Sequence, residues 1–428
     1  MSERLVLVGG GTFATRFFEA LAADAAAPEP LELRWIGSDR ARTTAAADHA
    51  RALLARVRPR WRLAAGVDFA AGVRGATLIV LMARIGGLEA RAADEALALR
   101  HGMAGDEGLG IGGVANAWRT VPVVRRFAAT IRREAPAATV VNLMAPLGMT
   151  TRALHEGGVA ATGLCELPLL TLRSWRASGD APAAELAPAL AHPPAPAADG
   201  ADDLDYAGLN HLGFFWPRGA RGAAWLATLA QRGAIDGALL AARGGAPLHY
   251  YEALIEPEVG ARRGRLRPVG RALALIELRE RALAQMRTAP GSPVAALAER
   301  PTPWFDALLA PTVAALLAGG AVDGFFDVRN ATRLPGLPAD VVVELPATLA
   351  RAGAAVRVPT ALPPPIAAFL AAAAEWEERS YRAARDRDRA QLRAALLAWP
   401  GAWPRPARAA FEELVESIAG SDPAEERP

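Results

Sequence analysis

The chain contains one cysteine and no lysine. Cys165 is the only cysteine in 428 residues, which excludes an internal disulfide bond and is typical of a reducing compartment. All 48 basic residues are arginines, and they are interspersed with acids, as in RDRDRAQLR (385–393). With a net charge of only +3 and no basic cluster interleaved with aromatics, the sequence does not predict a nucleic-acid partner.

Long apolar runs are also absent. No stretch reaches 18 apolar residues without a charge, so no membrane span is expected. The first residues, MSERLVLVGGGTF, lack the charged, apolar and cleavage-site regions of a secretory signal. We therefore expect a cytoplasmic protein without a membrane partner, and its length predicts two or three domains.

Apolar runs that look like strands alternate with segments of helical spacing, which predicts an α/β, doubly wound parallel sheet. The runs are RLVLV (4–8), LELRWIGSD (31–39), ATLIVLMAR (76–84) and ATVVNLMAP (138–146). The second half has helical patterns at 268–285 and 364–399 and a strand-like stretch at 341–346. The Ala- and Pro-rich stretch 177–203 is interpreted as a flexible surface excursion.

A glycine-rich turn follows the first apolar run. Gly9, Gly11 and Ala14 fit the G-x-G-x-x-G/A pattern that binds a dinucleotide pyrophosphate at a helix N-terminus. Asp39, at the end of the second predicted strand, is placed to bind ribose hydroxyls, which favours NAD over NADP. Arg40 beside it could instead neutralise a 2′-phosphate, so the choice of dinucleotide stays open at this point.

By themselves Cys165 and His211 allow more than one interpretation. A lone cysteine is often a small buried apolar side chain, while a nucleophile or a metal ligand needs partners elsewhere in the chain. A lone histidine can likewise be a polar residue satisfied near the core.

Three longer segments carry a family resemblance. They are the block from RIGG to GIGGVANAWRTVP (84–122), NLMAPLGMTTRAL (142–154) leading into GLCELP (163–168), and YAGLNHLGFF (206–215). In this order behind GGGT (9–12), they resemble glycoside hydrolase family 4, the 6-phospho-glycosidases that depend on NAD and a divalent metal, and the 6-phospho-β-glucosidase branch looks closest. The likeness continues through LHYYE (248–252), GLPADVVVELP (336–346) and the segment 377–400.

The resemblance implies an unusual hydrolysis, because this family uses NAD in place of the common pair of carboxylates. NAD takes hydride from C3 of the sugar, and the ketone acidifies the proton on C2. A base removes that proton, the aglycone leaves from C1, water adds, and hydride returns to C3.

The resemblance also assigns residues. It implies NAD contacts from the glycine turn including Thr12, and a divalent metal, Mn²⁺ in most members, held by Cys165 and His211. The base would be Tyr250 or Tyr251, although two adjacent tyrosines could also be core aromatics. The positions that would line the sugar and the nicotinamide are Arg84, Glu107 and Asn142.

Two positions depart from the family pattern. The second asparagine of Asn-x-x-Asn-Pro is Ala145, and the residue after the cysteine is Glu166 where the family has Asn or His. Glu166 could be an extra metal ligand or bind the substrate, and both changes suggest a substrate other than the standard 6-phosphoglucoside. Two alternative functions remain: a sugar dehydrogenase or epimerase that does not eliminate, and a degenerate homologue that only binds NAD or sugar.

The expected architecture is a Rossmann-like NAD-binding domain over residues 1–165 and a second α/β domain over 166–428. The second domain would resemble the C-terminal half of lactate and malate dehydrogenases, with the site in the cleft between the two. The resemblance further implies a homodimer or homotetramer acting on a small glycoside, either with or without a 6-phosphate.

Overall fold

The computed structural model describes residues 3–177, 203–265, 270–404 and 406–421. Its N-terminal half is built from six strands and the helices that connect them. The strands are β1 (Arg4–Gly9), β2 (Leu31–Ile36), β3 (Trp61–Gly66), β4 (Leu78–Met82), β5 (Thr139–Asn142) and β6 (Ala161–Leu164). The helices are α1 (Ala14–Ala23), α2 (Arg40–Val57), α3 (Phe69–Val73), α4 (Gly87–Arg100), α5 (Gly110–Glu134), α6 (Leu147–Glu156) and α7 (Leu167–Ala177).

These six strands are parallel and lie in the order β3-β2-β1-β4-β5-β6. This is the doubly wound arrangement, so the predicted Rossmann-like sheet is confirmed. The strand order reverses between β1 and β4. Ligands of such sheets bind outside the carboxyl ends of the strands at this point, and the glycine turn after β1 and Arg84 after β4 both lie there.

The rest of the chain adds six strands and ten helices to the described structure. The strands are β7 (Leu204–Leu209), β8 (Leu212–Pro217), β9 (Ala246–Pro247), β10 (Ala321–Arg329), β11 (Val342–Ala350) and β12 (Gly353–Val356). The first helices are α8 (Ala220–Gln231), α9 (Gly237–Arg243), α10 (His249–Leu254), α11 (Pro257–Arg262) and α12 (Ala272–Thr288). The others are α13 (Ala295–Ala298), α14 (Ala310–Leu317), α15 (Pro364–Asp386), α16 (Arg389–Leu397) and α17 (Arg408–Ala419).

The added strands extend the same sheet in antiparallel fashion. The order continues β6-β10-β11-β7-β8-β9, and β12 pairs with β11. One continuous sheet therefore crosses the predicted domain boundary at residue 165. That boundary stays a prediction. Helices α15 and α16 pack against α5, so the second half also covers the first.

Some predicted elements differ from the structure. The second strand ends at Ile36, not at Asp39, because Asp39 caps the next helix. Strand β3 was not predicted, since WRLAAG has little β-branched character. The helical pattern 364–399 is two helices, separated at Arg387 with a φ of 57°. Nearly all of the predicted excursion 177–203 lies outside the described residues.

Apolar side chains of both halves form a continuous core around the sheet. The central strands β1 and β4 are buried on both faces, as their uninterrupted apolar runs require. Among the described residues, no helix combines the length and the apolar character that crossing a membrane needs.

Candidate active site

The glycine turn begins where β1 ends. Gly9, Gly10 and Gly11 have φ values of 85°, 74° and 52°, and the Gly10 amide donates to the Met82 carbonyl over 3.0 Å. A Cβ on Gly9 would lie 2.3 Å from the Cα of Ala83, whereas a Cβ on Gly11 would meet no atom within 4 Å. Close packing therefore requires Gly9, and Gly11 borders open space where a pyrophosphate could approach the backbone.

The neighbouring positions predicted to bind the cofactor have different surroundings. Thr12 is 4% exposed, and its carbonyl accepts a hydrogen bond from the Thr15 hydroxyl at 3.0 Å. Asp39 Oδ1 accepts the Arg42 amide at 2.8 Å and so caps α2, while Arg40 is exposed on the first turn of that helix. Asp39 thus stabilises the N-terminus of α2, and its contact with ribose stays a prediction.

Arg84 and Glu107 form a bidentate ion pair beside the switch point. Arg84 Nε donates to Glu107 Oε2 at 2.7 Å and Arg84 Nη2 to Oε1 at 3.0 Å, and Arg91 adds a third bond of 2.8 Å. Burial would raise the pKa of Glu107, but the two guanidinium groups outweigh it and hold this pKa at about 2. Glu107 is therefore ionised, and it orients Arg84, which stays one third exposed.

Asn142 lies at the end of β5 and is fully buried. Its Nδ2 donates to the hydroxyls of Thr150 and Thr151, both at 2.9 Å, and its Oδ1 accepts the Met144 amide at 3.2 Å. Both amide protons are therefore used within the protein. In this state Asn142 shapes the loop that leads into α6 and has no free donor for a sugar.

Cys165 follows β6 directly and is 4% exposed. Burial, together with the negative charges of Glu344, Glu166 and Asp327, raises the pKa of its thiol well above the usual range. Without a compensating positive charge the thiolate is thus disfavoured here. The adjacent Glu166 is half-buried and close enough to influence both Cys165 and Tyr250.

His211 occupies the two-residue turn between β7 and β8. Its φ of 68° is unusual for a residue with a side chain, and such strain is often found at functional sites. Its ring stacks on Tyr250, with centroids 4.3 Å apart and planes at 17°. Its Nδ1 is buried without a hydrogen-bond partner in the described parts of the chain, and so is Nδ2 of the preceding Asn210.

The structure separates the two candidate tyrosines. Tyr250 lies against His211, and burial together with Asp106 and Glu166 raises the pKa of its hydroxyl. Tyr251 is fully buried and packs edge-on against Phe214 and Phe369. Only Tyr250 therefore joins the cluster that contains His211 and Glu166.

Three charged residues of this region were not singled out from the sequence as site residues. Arg91 pairs with Glu107, and Asp106 lies beside His211 while its Oδ1 accepts the amides of Gly108 and Leu109. Arg300 lies over the Phe13 ring, with 4.4 Å between the guanidinium carbon and the ring centroid. Arg91 and Asp106 lie within the segment 84–122 that carries the family resemblance, whereas Arg300 is distant from it in sequence.

The family resemblance implies two cofactors, NAD and a divalent metal ion. The open space over Gly11 suits a pyrophosphate, and the partnerless Nδ1 of His211 suits a metal ligand. Among the described residues, no three His, Cys, Asp or Glu side chains are grouped to hold a metal ion alone. A divalent cation held by Cys165 and His211 would therefore need further ligands from the substrate or from water.

Comparisons with known proteins agree with this geometry. The family model described as family 4 glycosyl hydrolase matches residues 4–176, and that of its C-terminal domain matches residues 270–400. A probable 6-phospho-β-glucosidase of Bacillus subtilis is 35% identical over 105 residues, which is 24% of this chain and 24% of that protein. The chain thus aligns with about a quarter of the length of that relative.

Solved structures extend the likeness over the whole fold. The 6-phospho-β-glucosidase of Thermotoga maritima, solved with manganese, NAD⁺ and glucose-6-phosphate, has a TM-score of 0.77 at 21% identity and covers 97% of this chain and 98% of its own. A malate dehydrogenase of Cryptosporidium parvum has a TM-score of 0.52 at 12% identity, over 90% of this chain and 100% of its own. The predicted likeness to the dehydrogenase fold is thereby confirmed. The motifs, the two matching family models and this shared fold lead to one conclusion: the chain belongs to glycoside hydrolase family 4.

Proposed function

We propose that this protein is a glycosidase that depends on NAD and a divalent metal, with Mn²⁺ as the preferred ion. The observation that carries the proposal is the buried, partnerless Nδ1 of His211, stacked on Tyr250 within a group of acidic side chains. A related enzyme that holds manganese, NAD⁺ and glucose-6-phosphate supports the same cofactor set.

The proposed reaction oxidises the sugar at C3, removes the C2 proton and eliminates the aglycone before water adds and the ketone is reduced. When bound, NAD would supply the hydride acceptor and the metal would supply Lewis acidity next to the C2 and C3 oxygens. The glycine turn binds and orients the dinucleotide, and Cys165 and His211 hold the cation.

Tyr250 is the base that takes the C2 proton. Burial and the nearby carboxylates raise the pKa of its hydroxyl, so Tyr250 needs an added positive charge to ionise. A divalent cation at Cys165 and His211 would supply that charge. It would also offset the negative charges that disfavour the Cys165 thiolate.

The arginines around the site suggest that the substrate is anionic. Burial, with a further contribution from the nearby Arg271, Arg84 and Arg91, lowers the pKa of Arg300 to about 10. Arg300 Nε is buried without a hydrogen-bond partner in the described structure. A phosphate or carboxylate on the sugar would give this group a partner.

The two departures from the family pattern, Ala145 and Glu166, support a substrate other than a 6-phospho-β-glucoside. Ala145 offers only its backbone carbonyl, which already accepts Asn116 Nδ2 at 3.0 Å, where the family has an asparagine side chain. Glu166 adds a carboxylate close to Tyr250. We propose an anionic glycoside whose ring substituents match these two changes.

The experiment uses purified protein with NAD⁺ and Mn²⁺ and aryl glycosides of both anomers, carrying a 6-phosphate, a 6-carboxylate or no charge. We expect aglycone release from an anionic sugar, loss of activity with EDTA and its return with Mn²⁺. In D₂O the sugar product should carry deuterium at C2, because the proton is removed and replaced.

The alternatives give different results. Preferential cleavage of 6-phospho-β-glucosides would contradict the proposal that the substrate differs from the standard one. Preference for neutral sugars would contradict the proposal that the substrate is anionic. Release without deuterium at C2 would contradict the elimination. NADH accumulation without aglycone release would identify a dehydrogenase.

A further inference from the structure

A row of buried polar side chains lies behind Cys165. The Tyr206 hydroxyl donates a short hydrogen bond to Glu344 Oε2, and the Cys165 thiol faces the same carboxyl group. The exposed fractions of Tyr206, Glu344 and Cys165 are 1%, 0% and 4%. The other oxygen of Glu344, Oε1, has no hydrogen-bond partner among the described side chains and backbone groups.

This row connects the two strands that carry the candidate metal ligands. Strand β6 leads into Cys165, and β7 leads through Asn210 into His211. Strand β11 lies between them in the order β6-β10-β11-β7, and its Glu344 is paired in register with Gly208 on β7. Glu344 therefore contacts the His211 hairpin through Tyr206 and faces Cys165 on the other side.

A second buried acid, Asp327, lies beside Glu344, and the fold makes room for it at Gly163. On β10, Asp327 pairs with Glu344 on one side and with Gly163 on the other, where a Cβ would lie 2.6 Å from the Asp327 Cβ. Both acids are fully buried, and in the described structure no arginine forms an ion pair with either. A buried carboxyl group without a cationic partner is costly, so packing alone does not explain Glu344.

We propose that Glu344, held by Tyr206, is a positioning residue that directs the Cys165 sulfur toward the metal and sets its placement relative to His211. This rests on the proposed function, because it presumes that Cys165 and His211 bind the metal. Hydrogen-bonded groups behind metal ligands orient them, and removing such groups typically weakens metal binding about 10- to 100-fold.

The test compares two tyrosine variants that each lose one hydroxyl group. Tyr206→Phe removes the buried bond to Glu344, and Tyr381→Phe removes a part-buried bond of 2.7 Å from a tyrosine hydroxyl to Glu156. Mn²⁺ affinity is measured by calorimetric titration without sugar, and NAD⁺ affinity and Tm are measured in parallel. We expect Tyr206→Phe to weaken Mn²⁺ binding about tenfold and Tyr381→Phe to leave it unchanged, with NAD⁺ affinity equal in both.

A second variant keeps the proposal testable if Tyr206→Phe disturbs folding. Glu344→Gln should also weaken Mn²⁺ binding, and the double variant should lose no more than Glu344→Gln alone, because the hydroxyl acts through the carboxyl group. Three results would overturn the inference: wild-type Mn²⁺ affinity in Tyr206→Phe, equal losses of Mn²⁺ affinity in both tyrosine variants, or additive losses in the double variant.

The metal assignment is checked separately with Cys165→Ser. If the wild type binds Mn²⁺ and Cys165→Ser does not, the proposed site stands and only the role of Glu344 is under test. If Cys165→Ser binds Mn²⁺ as tightly as the wild type, the proposed metal site is wrong and the inference falls with it.

Discussion

Tyr250 and Tyr251 are adjacent in sequence but have opposite surroundings. Tyr250 stacks on His211 among acidic side chains, while Tyr251 packs against Phe214 and its hydroxyl lies 3.5 Å from Glu256 Oε1. The sequence left both as candidates for the base, and the role itself stays a prediction. Their positions nevertheless make the choice testable.

We expect Tyr250→Phe to lower kcat by about 10²- to 10⁴-fold, because it removes the proposed base without changing the shape of the ring. Tyr251→Phe serves as the matched variant and should retain kcat within about threefold, since its hydroxyl contacts Glu256 and is not the proposed base. Steady-state kinetics with saturating NAD⁺ and Mn²⁺ checks this. A similar loss of kcat in both variants would reject Tyr250 as the base.

The residue-scale predictions from the motifs differ in how far the structure supports them. His211 and Glu166 lie close to Tyr250, and the shared metal site of Cys165 and His211 stays a prediction. Asn142 has no free donor, because its amide group already donates to the hydroxyls of Thr150 and Thr151 on α6. No periodicity could reveal this, since hydrogen-bond partners depend on how the loop after β5 folds back.

Among the elements, the strand–turn–helix at Gly9–Ala14 carries the clearest sequence signal. Gly11 and Gly336 both have positive φ values, 52° and 82°, and a Cβ at either position would meet no atom within 4 Å. Gly11→Ala and Gly336→Ala should therefore each cost about 1 kcal/mol of stability, from the left-handed backbone.

Only Gly11→Ala should also lower NAD⁺ affinity, by at least about tenfold, because its methyl group would fill the space proposed for the pyrophosphate. Urea unfolding and fluorescence titration with NAD⁺ measure the two effects. Equal NAD⁺ affinity in the two variants would contradict the binding mode proposed for the turn.

Helix α15 buries an acid against α6. Glu377 is 8% exposed, a Cβ on Gly148 would lie 2.1 Å from its Oε1, and burial raises the pKa of Glu377 to about 8. In the unfolded chain this pKa is about 4.3, so the unfolded state releases the proton first as the pH rises. Stability is therefore lost as the pH rises between about 4.3 and 8.

Between pH 5.5 and 7.5 we expect the wild type to lose about 2 kcal/mol more stability than Glu377→Gln, because only the wild type titrates here. Glu375→Gln, which changes an exposed acid of the same helix, should keep the wild-type dependence. Urea unfolding at both pH values measures the difference. A wild-type pH dependence in Glu377→Gln would show that Glu377 is ionised in the folded protein.

In the molecule as a whole, one sheet joins the two segments matched by the family models. Strand β6 pairs with β10, and α15 covers α5, so residues 1–165 leave a sheet edge and an apolar helix face uncovered when separated. We expect a fragment of residues 1–165 to lack the near-ultraviolet circular dichroism of the full chain. A fragment with native-like signal and cooperative unfolding would instead support an independent domain ending there.

The predicted homodimer or homotetramer also belongs to this scale. A single chain does not test it, and light scattering after size-exclusion chromatography would. A monomer with full activity would reject the expectation drawn from the family resemblance.

The sequence by itself determined the class of fold, the dinucleotide turn and the family. These depend on local features: apolar runs of strand length, glycines at fixed spacing, and motifs in a fixed order. The tertiary structure decided which tyrosine lies beside His211, that Asn142 is used internally, and that Arg300 and Glu344 lie near the site. Those facts depend on contacts between residues far apart in the chain, and only the packing of β10, β11 and the second half against the parallel sheet creates them.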